Sequence, residues 1–204
     1  MDNVVLDKDT HIYKLGKSFM PGVSGILKKA GVGGDFSTID QDLLERAIQF
    51  GKAVHFACEL HDKKTLDIAT VDQPVLHCLT AWKKFVKDFN VKMLEIEQPI
   101  YSKKWWVAGM PDRIALVKGI LTLIDIKTSK TIYPQMQLQT AGYQMMYEEL
   151  RGKKIKQRLI VRLAEDGYKI TKLANDEENK SVFIACVQVS KWKKINIKER
   201  SKWN

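Results

Sequence analysis

The chain has 204 residues, of which 45% are hydrophobic, and this is enough for one well-cored domain of ordinary globular composition. Its 34 lysine and arginine residues outnumber 24 aspartate and glutamate residues, which gives a formal net charge of +10. Such a balance raises the local concentration of polyanions and supports a nucleic-acid partner without establishing one. Three cysteines, Cys58, Cys78 and Cys186, have no metal-ligand spacing, and an odd number argues against a disulfide framework.

The sequence also lacks signals for export or membrane insertion. No stretch is long enough to span a bilayer, and the acidic start Met1-Asp2-Asn3 is unlike a signal peptide. We therefore expect a protein that stays in the reducing cytoplasm of a bacterial or phage-infected cell and has no membrane partner.

Periodicity and turn residues predict the elements in chain order. A hairpin is expected at 11–14 and 17–20 around Gly16, followed by a short helix from Ser24 as N-cap to Ala30, which the Gly31-Val32-Gly33-Gly34 run ends. Helices are expected at 41–64 and 71–89, strands at 107–116, 119–127, 157–163 and 168–173, and a last helix at 176–194. These elements predict a single domain with parts at 1–40, 41–95, 96–175 and 176–204.

The strands at 107–116 and 119–127 are predicted to form a hairpin. This hairpin contains the candidate catalytic residues Asp112, Asp125 and Lys127. Side chains alternate along a strand, so Asp125 and Lys127 should share a face while Ile126 points into packing. Pro111 cannot donate a ladder hydrogen bond and predicts a bend that aims Asp112 at the second strand. Two carboxylates and an ammonium group are what a metal-dependent phosphodiester site needs.

These residues resemble the PD-(D/E)XK nuclease superfamily, with Pro111-Asp112 as the first half of its motif and Asp125-Ile126-Lys127 as the second. The sequence is similar to the RecB-like branch at three more places, which are the Gln139-Thr140-Ala141-Gly142-Tyr143 helix, the Gly51-Lys52-Ala53-Val54-His55 helix continuing to Glu59, and the Glu97-Gln98-Pro99-Ile100 strand. The resemblance covers roughly residues 45 to 162. It implies an α/β fold with a restriction-endonuclease-like core, in which helices flank a mixed central β-sheet.

The resemblance also implies a ligand set for one or two divalent ions. His55, Asp112, Asp125 and the Ile126 carbonyl would hold Mg²⁺ or Mn²⁺, and histidine favours Mn²⁺. Lys127 would orient the attacking water. Several relatives have a four-cysteine iron-sulfur cluster, and this sequence lacks the residues for one.

Five of these residues also have alternative assignments. His55 and Glu59 share a helical face with Gly51, and a histidine bonded within the core is the alternative to a ligand. Gln139 and Tyr143 either contact a phosphate or nucleobase or belong to an amphipathic helix that covers the sheet. Glu97 is expected to be an exposed strand residue rather than a direct metal ligand. The intermediate possibility is that it contacts a ligand residue or reaches the metal through a water molecule.

Basic and aromatic residues suggest where DNA would lie. Lys103 and Lys104 precede Trp105 and Trp106, and on a strand only one tryptophan could face the core, so the other could stack on a base. Packing of both against the N-terminal helices is the alternative. Lys130 belongs to a second basic cluster, at 127–130.

Chains of this size without a helicase resemble phage recombination and mitochondrial genome-maintenance exonucleases, so the expected function is metal-dependent degradation of DNA, single-stranded or with free ends. A site-specific endonuclease and an inactive DNA-binding accessory subunit are the alternatives. The ring-shaped trimer of lambda-type exonucleases is left open, as are a homo-oligomer of another kind and a recombination or replication partner protein.

Overall fold

The structure, a computed structural model, describes residues 4–7, 12–33, 39–174 and 177–200, with side chains as far as residue 193. The predicted features at His11, Gly34, residue 176 and 201–204 lie outside this part of the chain. The strands are β1 (Val4–Asp7), β2 (Ile12–Leu15), β3 (Ser18–Met20), β4 (Lys92–Ile96), β5 (Ile100–Ser102), β6 (Val107–Gly109), β7 (Arg113–Val117), β8 (Ile120–Lys127), β9 (Gln157–Ala164) and β10 (Gly167–Leu173). The helices are α1 (Val23–Ala30), α2 (Gln41–Asp62), α3 (Gln73–Asp88), α4 (Pro134–Arg151) and α5 (Glu177–Arg200), with a short 3₁₀ helix at Ile68–Thr70.

A mixed five-stranded sheet in the order β10-β9-β8-β7-β4 forms the centre of the fold. Only the β8–β9 pair is parallel among the strand pairs of this sheet, and α4 provides the crossover that a parallel connection requires. Pro134 at the start of α4 and Gly152 in a left-handed conformation after it set the limits of that helix. The predicted α/β fold with a mixed sheet flanked by helices is confirmed.

Helices cover both faces of this sheet. On one face α2 and α3 bury Val54, Leu79, Trp82 and Phe85 against Ile126 and its neighbours. On the other face α1, α4 and α5 pack Ile26, Tyr143, Met146 and Phe183 against Leu123 and its neighbours. Coverage on both sides explains why β8 is buried without interruption from Thr122 to Ile126. Within the described residues, no helix combines the length and the apolar character needed to cross a membrane.

The predicted hairpin forms between β7 and β8, and its turn is the pair Lys118-Gly119, both with positive φ. This two-residue left-handed turn matches the twist of the strands it joins. The first predicted strand is wrong in its extent, since residues 107–116 divide into β6 and β7. β6 pairs with β5 in a separate two-stranded sheet, whereas β7 joins the central sheet. The bend expected at Pro111 is therefore a complete change of sheet.

Several other predicted limits need correction. β4 begins at Lys92, so the sheet starts inside the part predicted as helical. The strand expected at 97–100 is also wrong, because Glu97 lies between β4 and β5 with φ of 49°. The N-cap of α1 is Gly22, not Ser24, since Gly22 forms a bridge to Ala108 and its carbonyl accepts the first helical bond from Ile26.

Candidate active site

Asp112 occupies the gap between β6 and β7, where the chain leaves one sheet for another. Its Oδ2 atom accepts a hydrogen bond of 2.6 Å from the backbone N–H of Ile126, so the carboxylate is fixed against the C-terminal end of β8. Burial alone would raise the pKa of Asp112, but His55, Lys127 and the Ile126 N–H together hold it well below its usual value. Asp112 is therefore a carboxylate at neutral pH.

Asp125 and Lys127 lie on the same face of β8, as the alternation of the strand requires. The Lys127 Nζ atom is 2.5 Å from Asp125 Oδ2, and these side chains are 20% and 2% exposed. Burial raises the pKa of Asp125 against the opposing effect of Lys127. Burial would lower the pKa of Lys127, but Asp125 and Asp112 reverse this and raise it, so the ammonium form is favoured.

His55, Glu97 and Asp112 form a group that could hold a metal ion. One ligand atom from each side chain lies within 4.8 Å of the others, and His55 Nδ1 is 3.5 Å from Asp112 Oδ1. Burial would lower the pKa of His55, but Asp112 raises it. Burial and the nearby Asp112 raise the pKa of Glu97 to about 7.

The chemistry of this donor set fits a divalent cation. Two carboxylates and one imidazole brought together at an acidic site are ligands that suit Mn²⁺, whereas Mg²⁺ prefers oxygen donors alone. The grouping differs from the predicted set, because Glu97 stands beside His55 and Asp112 while Asp125 is paired with Lys127. Asp112 and Asp125 nevertheless interact electrostatically, so the two halves form one charged site.

Arg113 contacts Glu97 and the backbone of Asp112 from the interior of the protein. The side chain is fully buried, its Nη1 atom is 3.2 Å from Glu97 Oε1, and the same atom donates to the Asp112 carbonyl at 2.6 Å. Its Nε atom is 2.7 Å from Asp62 Oδ2, and Trp82 Nε1 also donates to that carboxylate. The guanidinium therefore links α2 and α3 to the chain segment that presents Glu97.

Arg113, Asp62 and Trp82 were not among the predicted site residues. A signal for Arg113 was present, since an arginine inside a run of strand residues needs a buried anionic partner. The partner itself could not be predicted, because Asp62 lies 51 residues away on a helix.

The other residues predicted near the metal have different partners. Glu59 is buried on α2 with its Oε1 atom 2.6 Å from Lys63 Nζ, outside the group of metal-ligating atoms. Gln139 and Tyr143 lie on α4, and Gln139 Nε2 donates to the Tyr143 hydroxyl at 3.0 Å. Burial raises the pKa of Tyr143 well above its usual value, and Asp125 and Asp112 add to this, so the phenol stays protonated near both carboxylates.

The predicted DNA-contacting tryptophans lie in a turn and not on a strand. Residues 103–106, which include Lys103 and Lys104, connect β5 to β6. Trp105 packs against the core beside α1, and Trp106 Nε1 donates to the Phe19 carbonyl at 3.1 Å. Both tryptophans are half-buried, and Trp106 contacts the N-terminal hairpin and not a helix. Lys130 is exposed just beyond β8.

The structure is thus a mixed α/β domain in which an aspartate at the break before β7 lies beside the Asp-x-Lys triplet of the neighbouring strand β8. No family model matches the chain, and no curated protein matches it in sequence.

Solved structures with similar chain paths include exonucleases. The LHK-Exo complex with dAMP is 14% identical, with a TM-score of 0.49 over 91% of this chain and 95% of that chain. A second structure of this alkaline exonuclease, from Laribacter hongkongensis, is 14% identical, with a TM-score of 0.40 over 88% of this chain and 94% of that chain. A provisionally named exonuclease from Eubacterium rectale is 10% identical, with a TM-score of 0.43 over 84% and 81%. These low sequence identities and TM-scores do not assign an activity to the chain, so its function is inferred from the candidate active site.

Proposed function

We propose that the protein is a divalent-metal-dependent nuclease that hydrolyses DNA phosphodiester bonds from DNA ends. The observation that supports this most directly is the group of His55, Glu97 and Asp112 next to the Asp125–Lys127 pair. A group that could hold a divalent cation and a nearby ammonium ion suit phosphodiester hydrolysis, because the cation can activate water and the ammonium ion can stabilise the charge that develops on the phosphate.

The residues have separate roles in this proposal. His55, Glu97 and Asp112 would hold the cation, with Asp125 completing the negative site. A divalent cation bound there would polarise the scissile phosphate and lower the pKa of a water molecule. Lys127, whose Nζ atom is 2.5 Å from Asp125 Oδ2, would orient that water and stabilise negative charge that develops on the phosphate.

The net charge of +10 supports a polyanionic substrate, since it favours encounter with DNA. Attack from ends is proposed on the resemblance of the sequence to phage and genome-maintenance exonucleases. Roles in recombination, repair or replication follow from the same resemblance. An endonuclease of this fold is the second candidate function.

The test uses end-labelled linear DNA, single- and double-stranded, beside a closed circle, with Mn²⁺ or Mg²⁺. We expect metal-dependent loss of the linear DNA only. Lys127→Ala should abolish cleavage and still bind DNA, because the substitution removes a group that acts on the water and leaves the ligands in place. Lys169→Ala, at an exposed position on β10, is the matched control and should cleave normally.

Each other outcome has a defined meaning. Cutting of the circle would replace end-dependent attack with endonuclease activity. Cleavage by Lys127→Ala near the wild-type rate would overturn the role of Lys127. A thermal shift with Mn²⁺ that Glu97→Gln removes and Glu95→Gln keeps would support the ligand role of Glu97, since Glu95 lies on the same chain segment but pairs with Arg151.

A further inference from the structure

Three separate segments of the chain bring the candidate metal ligands together. His55 lies on α2, Glu97 lies between β4 and β5, and Asp112 lies at the break between β6 and β7. Two of these segments are irregular, because Glu97 has a left-handed φ of 49° and Asp112 belongs to neither of the strands beside it. A metal ion requires ligand atoms in a defined arrangement, so such segments need further contacts that fix them.

The guanidinium of Arg113 contacts two of these segments directly. Its Nη1 atom is 3.2 Å from Glu97 Oε1 and donates to the Asp112 carbonyl at 2.6 Å. The backbone N–H of Glu97 donates to the same carbonyl at 3.1 Å. A displacement of the guanidinium would therefore disturb both the side chain of Glu97 and the backbone of Asp112.

The same guanidinium reaches the helix of the third ligand through Asp62. Arg113 Nε donates to Asp62 Oδ2 at 2.7 Å, and Asp62 is the last residue of α2. Asp62 lies seven residues after His55, which places the two side chains on one face of the helix, about 10 Å apart along its axis. Because an α-helix moves as a unit over two turns, the Arg113–Asp62 pair helps to fix His55 relative to the sheet.

Asp62 also bonds to a third element. Trp82 of α3 donates its Nε1–H to Asp62 Oδ1 at 3.0 Å, and His61 Nδ1 lies 3.1 Å from the same oxygen. The side chains of Arg113 and Asp62 are 0% and 3% exposed, so solvent ions screen this pair little. Charge-assisted hydrogen bonds are short and strong in such surroundings. The contacts of Trp82, Asp62 and Arg113 thus form a rigid, buried network.

We infer that Arg113 and Asp62 are positioning residues that set the affinity of the candidate site for a divalent cation, chiefly through Glu97. Arg113 fixes Glu97 and the segment of Asp112, and Asp62 connects Arg113 to the helix that carries His55. Residues that support metal ligands in this way typically contribute a factor of about 10–100 to metal affinity. The inference rests on the metal site of the proposed nuclease and concerns affinity for the ion rather than cleavage.

Isothermal titration calorimetry with Mn²⁺ measures this affinity without DNA. We expect Asp62→Asn to raise the Kd about tenfold, because the amide keeps the shape of the carboxylate and loses the charge that attracts Arg113. Arg113→Lys should raise it about 10–100-fold, since an ammonium group cannot reproduce the separate bonds of Nε and Nη1. Trp82→Phe should cause a smaller rise, because it removes one donor to Asp62. Thermal melting reports folding, and Asp62→Asn and Trp82→Phe keep the test valid if Arg113→Lys unfolds.

Matched controls separate positioning from a general loss of stability. Glu148→Gln neutralises another mostly buried carboxylate, which pairs with Lys180 between α4 and α5. Arg151→Lys changes an arginine that pairs with Glu95 in a more exposed position. Both variants should keep the Mn²⁺ Kd of the wild type, even where the substitution lowers the Tm.

A double substitution tests whether the network acts through Glu97. Asp62→Asn and Glu97→Gln together should raise the Kd by less than the product of their separate factors, because both remove the same contribution to metal binding. Glu148→Gln combined with Glu97→Gln should give the full product. A full product for the first pair as well would overturn the inference.

Metal affinity and cleavage distinguish this inference from the proposed function. If the wild type cleaves DNA and both Asp62→Asn and Arg113→Lys keep its Mn²⁺ Kd, the positioning role is wrong and the nuclease stands. If the wild type binds Mn²⁺ with a Kd that depends on Asp62 but cleaves no DNA, the positioning role stands and the nuclease function fails. A wild type that binds neither Mn²⁺ nor Mg²⁺ would overturn both.

Discussion

The guanidinium of Arg113 lies fully buried between the carboxylates of Asp62 and Glu97. The Arg113 Cζ atom also lies 5.7 Å from the centroid of the Trp82 ring, which adds a cation–π contact. Burial of the guanidinium is offset by its ion pair with Asp62 and by its contact with the carboxyl group of Glu97. Glu97 in turn has a left-handed φ of 49°, so its position depends on this ion pair as well as on the backbone.

Replacing Arg113 with methionine should therefore be strongly destabilising. The substitution leaves Asp62 and Glu97 buried without their cation, and breaking such a pair costs about 3–5 kcal/mol. Urea denaturation would measure the change in the free energy of unfolding. The matched control is Arg151→Met, whose partner Glu95 lies in a more exposed pair, and there we expect about 0–1 kcal/mol. Equal decreases in the free energy of unfolding of the two variants would contradict the prediction that the buried Arg113 ion pairs contribute more than the Arg151–Glu95 pair.

At the scale of the element, the contact between α4 and α5 depends on a glycine in the middle of a helix. A Cβ atom added to Gly142 would lie 2.7 Å from Phe183 Cζ, closer than real side chains approach. The ring of Phe183 is fully buried and has little room to move. Gly142 is thus a close-approach position that allows α5 to pack across α4.

We expect Gly142→Ala to lower the free energy of unfolding by about 1–3 kcal/mol, because overpacking a buried contact forces side chains from their preferred positions. Gly25→Ala is the matched control, since Gly25 also lies inside a helix but has nothing within 4 Å of an added Cβ. That control should be neutral or gain about 0.5–1 kcal/mol from helix propensity. Denaturant titration of both variants measures the difference, and a stabilised Gly142→Ala would show that Phe183 can move.

Elements with strong periodicity or turn signals were predictable from the sequence. The predicted helix at 41–64 forms as Gln41–Asp62, and the Lys118-Gly119 turn lies where the hairpin was expected. The short strands were not predictable in the same way. β4 has a register shift between Met93 and Glu95, so its alternation is interrupted, and the sheet change at Asp112 is a tertiary event that β-propensity cannot indicate.

The candidate site was predictable where it depends on local geometry. Asp125 and Lys127 share a face because strand side chains alternate, and Pro111 indicated the bend that brings Asp112 to β8. Glu97 was expected to be exposed, and it instead joins His55 and Asp112. Its placement depends on a positive-φ turn and on Arg113, and neither leaves a periodic signal in the sequence.

At the scale of the whole molecule, Glu148 joins three parts of the face opposite α2 and α3. Its carboxylate, 9% exposed, accepts bonds from Gln144 of its own helix and from the Ile155 N–H before β9, and it pairs with Lys180 of α5. Burial would raise the pKa of Glu148, but the Gln144 bond and the nearby lysines lower it below its usual value. The ionised form therefore binds this layer more strongly than the protonated form.

The direction of this pKa shift predicts how the stability of the molecule depends on pH. A carboxyl group with a lowered folded-state pKa stabilises the fold above its unfolded pKa of about 4.3, and that contribution is lost as the pH falls through the folded value. Glu148→Gln should thus melt below the wild type at pH 7, and the gap in Tm should shrink between pH 5 and pH 3. Glu178→Gln, at an exposed position of α5, should show little gap at any pH. If the difference in Tm between the wild type and Glu148→Gln were the same at pH 3 as at pH 7, the stabilising effect of Glu148 would come from its packing and not from its charge.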